Sequence, residues 1–221
     1  MIVTFDLFSA LTDSRTGASR VLGDLAGTRG WSQSGEELYD RWDGHNKALQ
    51  RTATTPTTFH DVSLEALHRA WRDLGHDESY AAGDLSLLEE SVADWPLWPD
   101  VAAGIADVAA DHRVGLLSNV DDDLARRTRA HALVDPALVL TSQRLGAYKP
   151  SREIYARAAA EVAPERLVHV AASARDVRGA LEAGLATVRL VRPGHVLDET
   201  GPRSSVEVTD AATLAEAVAG V

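Results

Sequence analysis

Ile2–Val3–Thr4–Phe5–Asp6–Leu7–Phe8–Ser9–Ala10–Leu11–Thr12–Asp13 is the stretch on which the reading of this chain turns. Four apolar or β-branched residues run into a carboxylate, the pattern of a short buried strand over Ile2–Phe5 with Asp6 at its carboxyl end. In open α/β sheets, ligands are held at that end of the strands. A buried strand fixes its backbone, so a carboxylate there is aimed at one point in a crevice. Taken alone, the stretch equally fits an Asp that caps a turn.

Moving outward, a polar turn over 12–17 leads into helical segments. The patterning predicts helices near 19–26, 35–50, 61–74 and 81–93. On the second, Tyr39, Trp42, Asn46 and Leu49 recur at helical spacing. On the third, Leu64, Leu67, Trp71 and Leu74 form an apolar stripe. No strand pattern appears between Thr12 and Asp94, which marks an all-helical insertion after the first strand. Trp95–Pro96–Leu97–Trp98–Pro99 resists helix, because each Pro disfavours the α region for its predecessor, and reads as the return crossing. Beyond it helices (100–111, 122–131, 151–162, 174–183, 210–219) alternate with apolar strands (114–117, 138–141, 167–171, 187–191). That alternation predicts an α/β fold, a Rossmann-like parallel sheet with helices on both faces. The expected division is a core of residues 1–12 and 95–221 and a helical cap of 13–94.

Composition narrows the function classes. The chain has 221 residues with a formal net charge of −11 and no clustered basic patch, which argues against nucleic-acid or anionic-membrane partners. With no Cys, disulfides, thiolate metal sites and cysteine nucleophiles are excluded. No apolar run approaches membrane-spanning length, and the N-terminus lacks a signal-peptide pattern. The expected setting is cytoplasmic, with a small-molecule substrate.

The strand ends carry the chemistry. The first strand ends at Asp6 and the strand 114–117 at Ser118–Asn119. Strand 138–141 is followed by Gly146–Ala147–Tyr148–Lys149–Pro150, and strand 167–171 by Ser173 and Asp176. Parallel strands put all these ends on one edge, so two carboxylates, a hydroxyl, an amide and an ammonium converge in one crevice. This order, with Phe-Asp-x-Phe, Leu-Leu-Ser-Asn, Tyr-Lys-Pro followed by Tyr155, and the run at 176–184, resembles the haloacid dehalogenase (HAD) superfamily over essentially the whole chain. Within it, the likeness is to the 2-haloacid dehalogenases.

That resemblance implies a metal-independent hydrolase without cofactor, in which Asp6 displaces halide from a small organic substrate and forms an ester that water then cleaves. Lys149 would keep Asp6 ionised. Asp176 would orient Lys149 or activate water. Ser118 and Asn119 would hydrogen-bond Asp6, the substrate and the leaving halide. Phe8, Trp42, Asp43, Tyr155 and Ser173 are the expected substrate-side residues, and the resemblance also implies a homodimer. The phosphatases of the superfamily carry an acid two residues after the nucleophile, where this chain has Phe8. They also hold Mg²⁺ with an early acid of the last motif, where this chain has Ala171 and Ala172. A phosphatase using Mg²⁺, with help from Asp176, Asp122 or Asp123, and a non-catalytic binding protein of the same fold are the competing readings. Two departures stand out. Ala10 replaces a Thr, and Asp43 stands where the 2-haloacid dehalogenases have an Arg that binds the substrate carboxylate. Among the remaining polar groups, His45 and His60 read as surface residues, and Arg192–Pro193–Gly194–His195 as a turn.

Overall fold

The computed structural model describes residues 1–197 and 201–221. Six parallel strands form one sheet: β1 (Ile2–Phe5), β2 (Arg113–Ser118), β3 (Val139–Thr141), β4 (Leu167–Ala171), β5 (Ala186–Leu190) and β6 (Val206–Val208), in the order β3-β2-β1-β4-β5-β6. All four residues of β1 are buried. They pair with β2 on one side and β4 on the other, Phe5 lying opposite both Leu116 and Val170. The chain builds outward from β1 to β3, then returns to the far side of β1 for β4. Asp6 therefore sits where the strand order reverses, the place at which such sheets open a crevice. β6 was not expected; its short Val206–Glu207–Val208 lacks the apolar run that marks the buried strands.

Helices α1 (Ser14–Arg29), α2 (Gly35–Gln50), α3 (Phe59–Leu74) and α4 (Ala81–Ser91) make up the insertion. Their ends are set by local chemistry. Ser34 with Glu37 and Thr58 with Asp61 form capping boxes at α2 and α3, while Gly30 and Gly75 close α1 and α3 in the left-handed conformation. α1 begins five residues earlier than its apolar pattern suggests, because Asp13 accepts a hydrogen bond from the Thr16 amide and caps it there. Gly17 inside it is required by packing, since a Cβ there would stand 2.4 Å from the Trp95 ring. The chain leaves and returns at one seam. Thr12 bridges Leu97 antiparallel, and the Asp13 and Trp98 amides donate to Pro96 and Leu11 carbonyls at 2.9 and 3.0 Å.

The remaining helices are α5 (Val101–Ala109), α6 (Asp122–Arg127), α7 (Ser142–Leu145), α8 (Arg152–Glu161), α9 (Ala174–Glu182) and α10 (Leu214–Ala219). The helix expected over 122–131 stops at Arg127, where Thr128 takes an extended conformation, and a tighter turn follows over Arg129–Leu133. A buried apolar cluster runs without a break from Val3, Phe5 and Val168 to Leu38, Leu67 and Trp71 of the inserted helices. Among the described residues, no helix is long and apolar enough to cross a membrane.

α9 approaches the Lys149–Pro150 segment closely at Gly179, where a Cβ would lie 2.9 Å from the Pro150 backbone oxygen and from the Tyr155 ring. Gly179→Ala should lower stability by ~1–3 kcal/mol through overpacking, measured by urea unfolding. A variant as stable as wild type would show that this contact is loose.

Candidate active site

Asp6 follows β1 directly, and the chain then turns through one wide helical turn over Leu7–Leu11, closed by the Thr12 amide on the Leu7 carbonyl at 2.9 Å. The turn brings Ser9 back beneath Asp6. The Ser9 amide donates to Asp6 Oδ2 at 3.1 Å, and the Ser9 hydroxyl bonds the same oxygen. The other oxygen, Oδ1, accepts from Ser118 Oγ at 3.1 Å and Lys149 Nζ at 2.7 Å. The strand-end Asp thus caps a turn and faces a crevice at once; the two readings of this residue are both realised.

Lys149 is the centre of the set. Its ammonium donates to Asp6 Oδ1 at 2.7 Å, to Asp176 Oδ2 at 2.5 Å and to the Leu117 carbonyl at 2.8 Å, which uses all its protons. The three charged side chains are buried, with Asp6, Lys149 and Asp176 only 8%, 6% and 3% exposed. Burial alone would push both carboxyls up, but the Lys149 charge holds Asp6 and, more strongly, Asp176 below the usual carboxylate range. Burial would likewise lower Lys149, and the two carboxylates more than offset that, raising it.

Behind this set lies a second layer. Asp176 Oδ1 accepts from the Tyr155 hydroxyl at 2.8 Å, and His169 Nε2 lies 3.1 and 3.2 Å from the two Asp176 oxygens. A carboxylate only accepts, so His169 Nε2 carries a proton. Its Nδ1 lies 3.1 Å from the Thr4 hydroxyl. Tyr155 is fully buried and does not line the cavity; it bears on Asp176 from behind, which corrects its expected substrate contact. Ser173 caps α9, accepting from the Asp176 amide at 3.4 Å, and its side chain also borders the cavity.

Asn119 departs from expectation. Its amide does not touch Asp6. It clamps the Lys149 backbone, accepting from the Lys149 amide at 2.7 Å and donating to the Lys149 carbonyl at 2.9 Å, and it also donates to Gln50 of α2 at 2.8 Å. It holds the ammonium in place and ties the cap to the sheet edge.

Above these groups is a cavity of about 140 Å³, close to the volume that holds a benzene-sized molecule. One wall is apolar, with Phe8, Phe59, Leu85, Leu88, Val92 and Trp95. Phe8 stacks on Phe59, ring centroids 6.1 Å apart. Trp42 borders the cavity while its indole donates to the Ser63 carbonyl at 3.1 Å. Asp43 borders it too, ion-paired with Lys47 one turn along α2. His45 pairs with Asp73 and His60 with Glu89, both at the surface. Two residues that sequence reasoning passed over line the same space, Arg175 and His195. His195 closes a turn onto Arg192, as expected, but the turn points it inward.

The residues do not fit a Mg²⁺ centre. An ammonium already bridges the two carboxylates that would share the ion. Ala171 and Ala172, at the place of the missing acid, are fully buried and offer no side-chain oxygen. Asp122 bonds Thr141 and Asp123 pairs with Arg126, neither at the cavity. Among the described residues, no group of His, Asp or Glu is arranged to hold a metal.

The sequence profile of haloacid dehalogenase-like hydrolases matches residues 1–184. The chain belongs to that family. As a haloacid dehalogenase-like hydrolase, it is similar along its length to solved dehalogenases. With the defluorinating L-2-haloacid dehalogenase Rha0230 it shares 25% identity at a TM-score of 0.82, over 97% of this chain and 93% of the other. With the L-2-haloacid dehalogenase of Xanthobacter autotrophicus it shares 20% identity at 0.81, over 100% and 98%. The same enzyme with chloropropionic acid covalently bound gives 20% identity at 0.80, again over 100% and 98%. No curated protein sequence matches this hydrolase.

Lys149→Met leaves Asp6 and Asp176 buried without their cation and should cost ~3–5 kcal/mol at pH 7. The native carboxyls lie below the usual range, so their contribution is present above pH ~4 and is lost as pH falls through the native values. In the variant both carboxyls move up, and acidification neutralises them. The stability gap to wild type, read by urea unfolding, should therefore narrow between pH 7 and pH 4. An unchanged gap would assign the loss to packing.

Proposed function

We propose that this hydrolase acts by covalent catalysis at carbon, in the manner of a 2-haloacid dehalogenase: Asp6 displaces halide from a small organic acid, and water hydrolyses the resulting ester. One observation carries the reading. A carboxylate held ionised by Lys149 faces a small cavity, and the lining side chain two residues after it, Phe8, has no proton to give. Phosphoryl transfer needs the leaving alkoxide protonated and the phosphate charge neutralised by metal or cations. Halide departs unprotonated, and an attacking carboxylate needs only orientation and a dry wall. The covalently bound chloropropionic acid of the Xanthobacter enzyme, on the same fold, supports this choice.

In the first step an Asp6 oxygen forms the C–O bond as the carbon–halogen bond breaks. Lys149 keeps Asp6 anionic, and Ser118 and Ser9 fix its plane. In the second step water adds to the Asp6 carbonyl carbon and the substrate's alcohol leaves. A base is then needed. Asp176 is a poor one, since Lys149, Tyr155 and His169 occupy its oxygens, and against the upward push of burial Lys149 and then His169 hold it below the usual carboxylate range. We assign the proton to His195, which lines the same cavity with no hydrogen bond to its ring among the described residues. Burial and then Lys47 lower its pKa; Asp6 and Asp43 pull it up and Arg189 down again, and it remains neutral at pH 7. The imidazolium returns its proton to the departing alkoxide, and Asp6, left as the acid with the water's second proton, releases that proton to solvent and is restored as the carboxylate beside Lys149.

One turnover in ¹⁸O-water should give a product whose new hydroxyl carries the light isotope, because that oxygen comes from Asp6, while the heavy isotope enters the Asp6 carboxylate. Heavy oxygen in the first product would rule out the covalent route. Halide release should be unchanged in excess EDTA; strict Mg²⁺ dependence, with phosphatase activity, would favour the competing reading. His195→Gln should slow ester hydrolysis by ~10²–10⁴-fold and let the esterified protein accumulate, seen as added mass. If His195→Gln turns over normally while Asp176→Asn accumulates ester, the base is Asp176.

A further inference from the structure

Three cations line the cavity, and two are spoken for. Lys149 lies between Asp6 and Asp176, and Lys47 pairs with Asp43. The third, Arg175, has no carboxylate within ion-pair distance among the described residues. Among the described residues its one side-chain hydrogen bond runs from Nη1 to the Lys47 carbonyl at 2.7 Å, which leaves most of a five-donor guanidinium without a partner there. None of its nitrogens is both sealed away from solvent and without a partner, and the side chain lines the cavity.

The placement of this charge is unfavourable on balance. Arg175 is the second residue of α9, at the positive end of the helix dipole, where a cation destabilises. It is largely removed from water, and burial together with the nearby Arg51 pushes its pKa down. A partly desolvated cation at a helix N-terminus, beside a second cation and without a counter-ion, is a group awaiting an anion. Asp43, Asp176 and Asp6 act on it through space, but each is already engaged by a lysine.

We propose that Arg175 is the receptor for the substrate's carboxylate, which names the substrate of this cavity as a small carboxylic acid anion. The inference rests on the reading of Asp6 as nucleophile. The guanidinium offers parallel N–H groups that match a carboxylate, the apolar wall of Phe8, Phe59 and Leu88 takes the alkyl part, and the reacting carbon is left toward Asp6. A cavity of about 140 Å³ admits an acid of only a few carbons. Asp43, which from the sequence opposes an anionic substrate, does not do so because Lys47 neutralises it.

The test is calorimetric binding of propionate and of propionamide, which have the same shape, differ in charge and carry no leaving group. Wild type should bind propionate at least tenfold more tightly than the amide. Arg175→Gln should weaken propionate by ~10–100-fold and leave propionamide unchanged, with Arg175→Lys between the two. Thermal melts of both variants establish that they are folded, and in turnover the loss should fall on KM more than on kcat. Equal propionate binding by wild type and folded Arg175→Gln overturns the proposal, as does equal weakening of acid and amide. Arg175-dependent propionate binding without halide release from any 2-haloacid would uphold the subsite and sink the dehalogenase reading. Halide release with unchanged KM in Arg175→Gln would do the reverse.

Discussion

An ammonium with two carboxylates on it is the constraint from which the rest of this site follows. Burying three charges is costly, and here the cost is offset because every polar group in the set has a partner. Lys149 places its protons on Asp6, Asp176 and Leu117. Asp6 takes further donors from Ser9 and Ser118, and Asp176 from Tyr155 and His169. The set carries one net negative charge at the edge of the cavity. A saturated network of this kind has one geometry, which is what an in-line displacement needs.

The sheet makes such a network affordable in a chain whose members lie far apart. Asp6 and Lys149 are 143 residues apart, Lys149 and Asp176 only 27. They meet because β1 is central, with β2 and β4 hydrogen-bonded on either side and all carboxyl ends on one edge. The inserted helices add the dry wall. Asn119 couples the two parts, since the same amide that fixes the Lys149 backbone reaches Gln50 of α2. Displacement of α2 would therefore be felt at the ammonium.

What was legible in the sequence follows from what periodicity and strand ends report. The run Ile2–Phe5 closed by Asp6, the alternation of apolar strands with helices, and the stripe on α3 are local patterns, and they gave the architecture. The strand-end rule brought out Asp6, Ser118, Lys149 and Asp176 together. Misread were groups whose role depends on direction. Asn119 belongs to the same strand end as Ser118, yet its amide turns to the Lys149 backbone. Tyr155 reaches Asp176 from behind because α8 packs beneath α9 at Gly179. The turn at Leu7–Leu11 has no periodic signature. Arg175 did leave a signal, a cation at the start of a helix directly before an acid, but without its burial and its missing partner it reads as solvated.

The charges around the cavity also show why residue type at one aligned position is a weak guide to substrate charge. Asp43 alone suggests an anion-repelling pocket. What a ligand meets is the sum over groups within a few ångströms, each weighted by desolvation and by its own partner. Asp43 and Lys47 form a pair on one helix and largely cancel; Lys149 is enclosed by two acids. Among the described residues Arg175 remains as the lining cation without an ion-pair partner, 128 residues from the α2 carbonyl that holds it in place. Unpaired charge dominates the field of a small cavity, because paired charges decay as dipoles while a monopole does not. The character of this pocket is thus set by two uncompensated charges, the guanidinium at the start of α9 and the excess carboxylate of the Asp6–Lys149–Asp176 set.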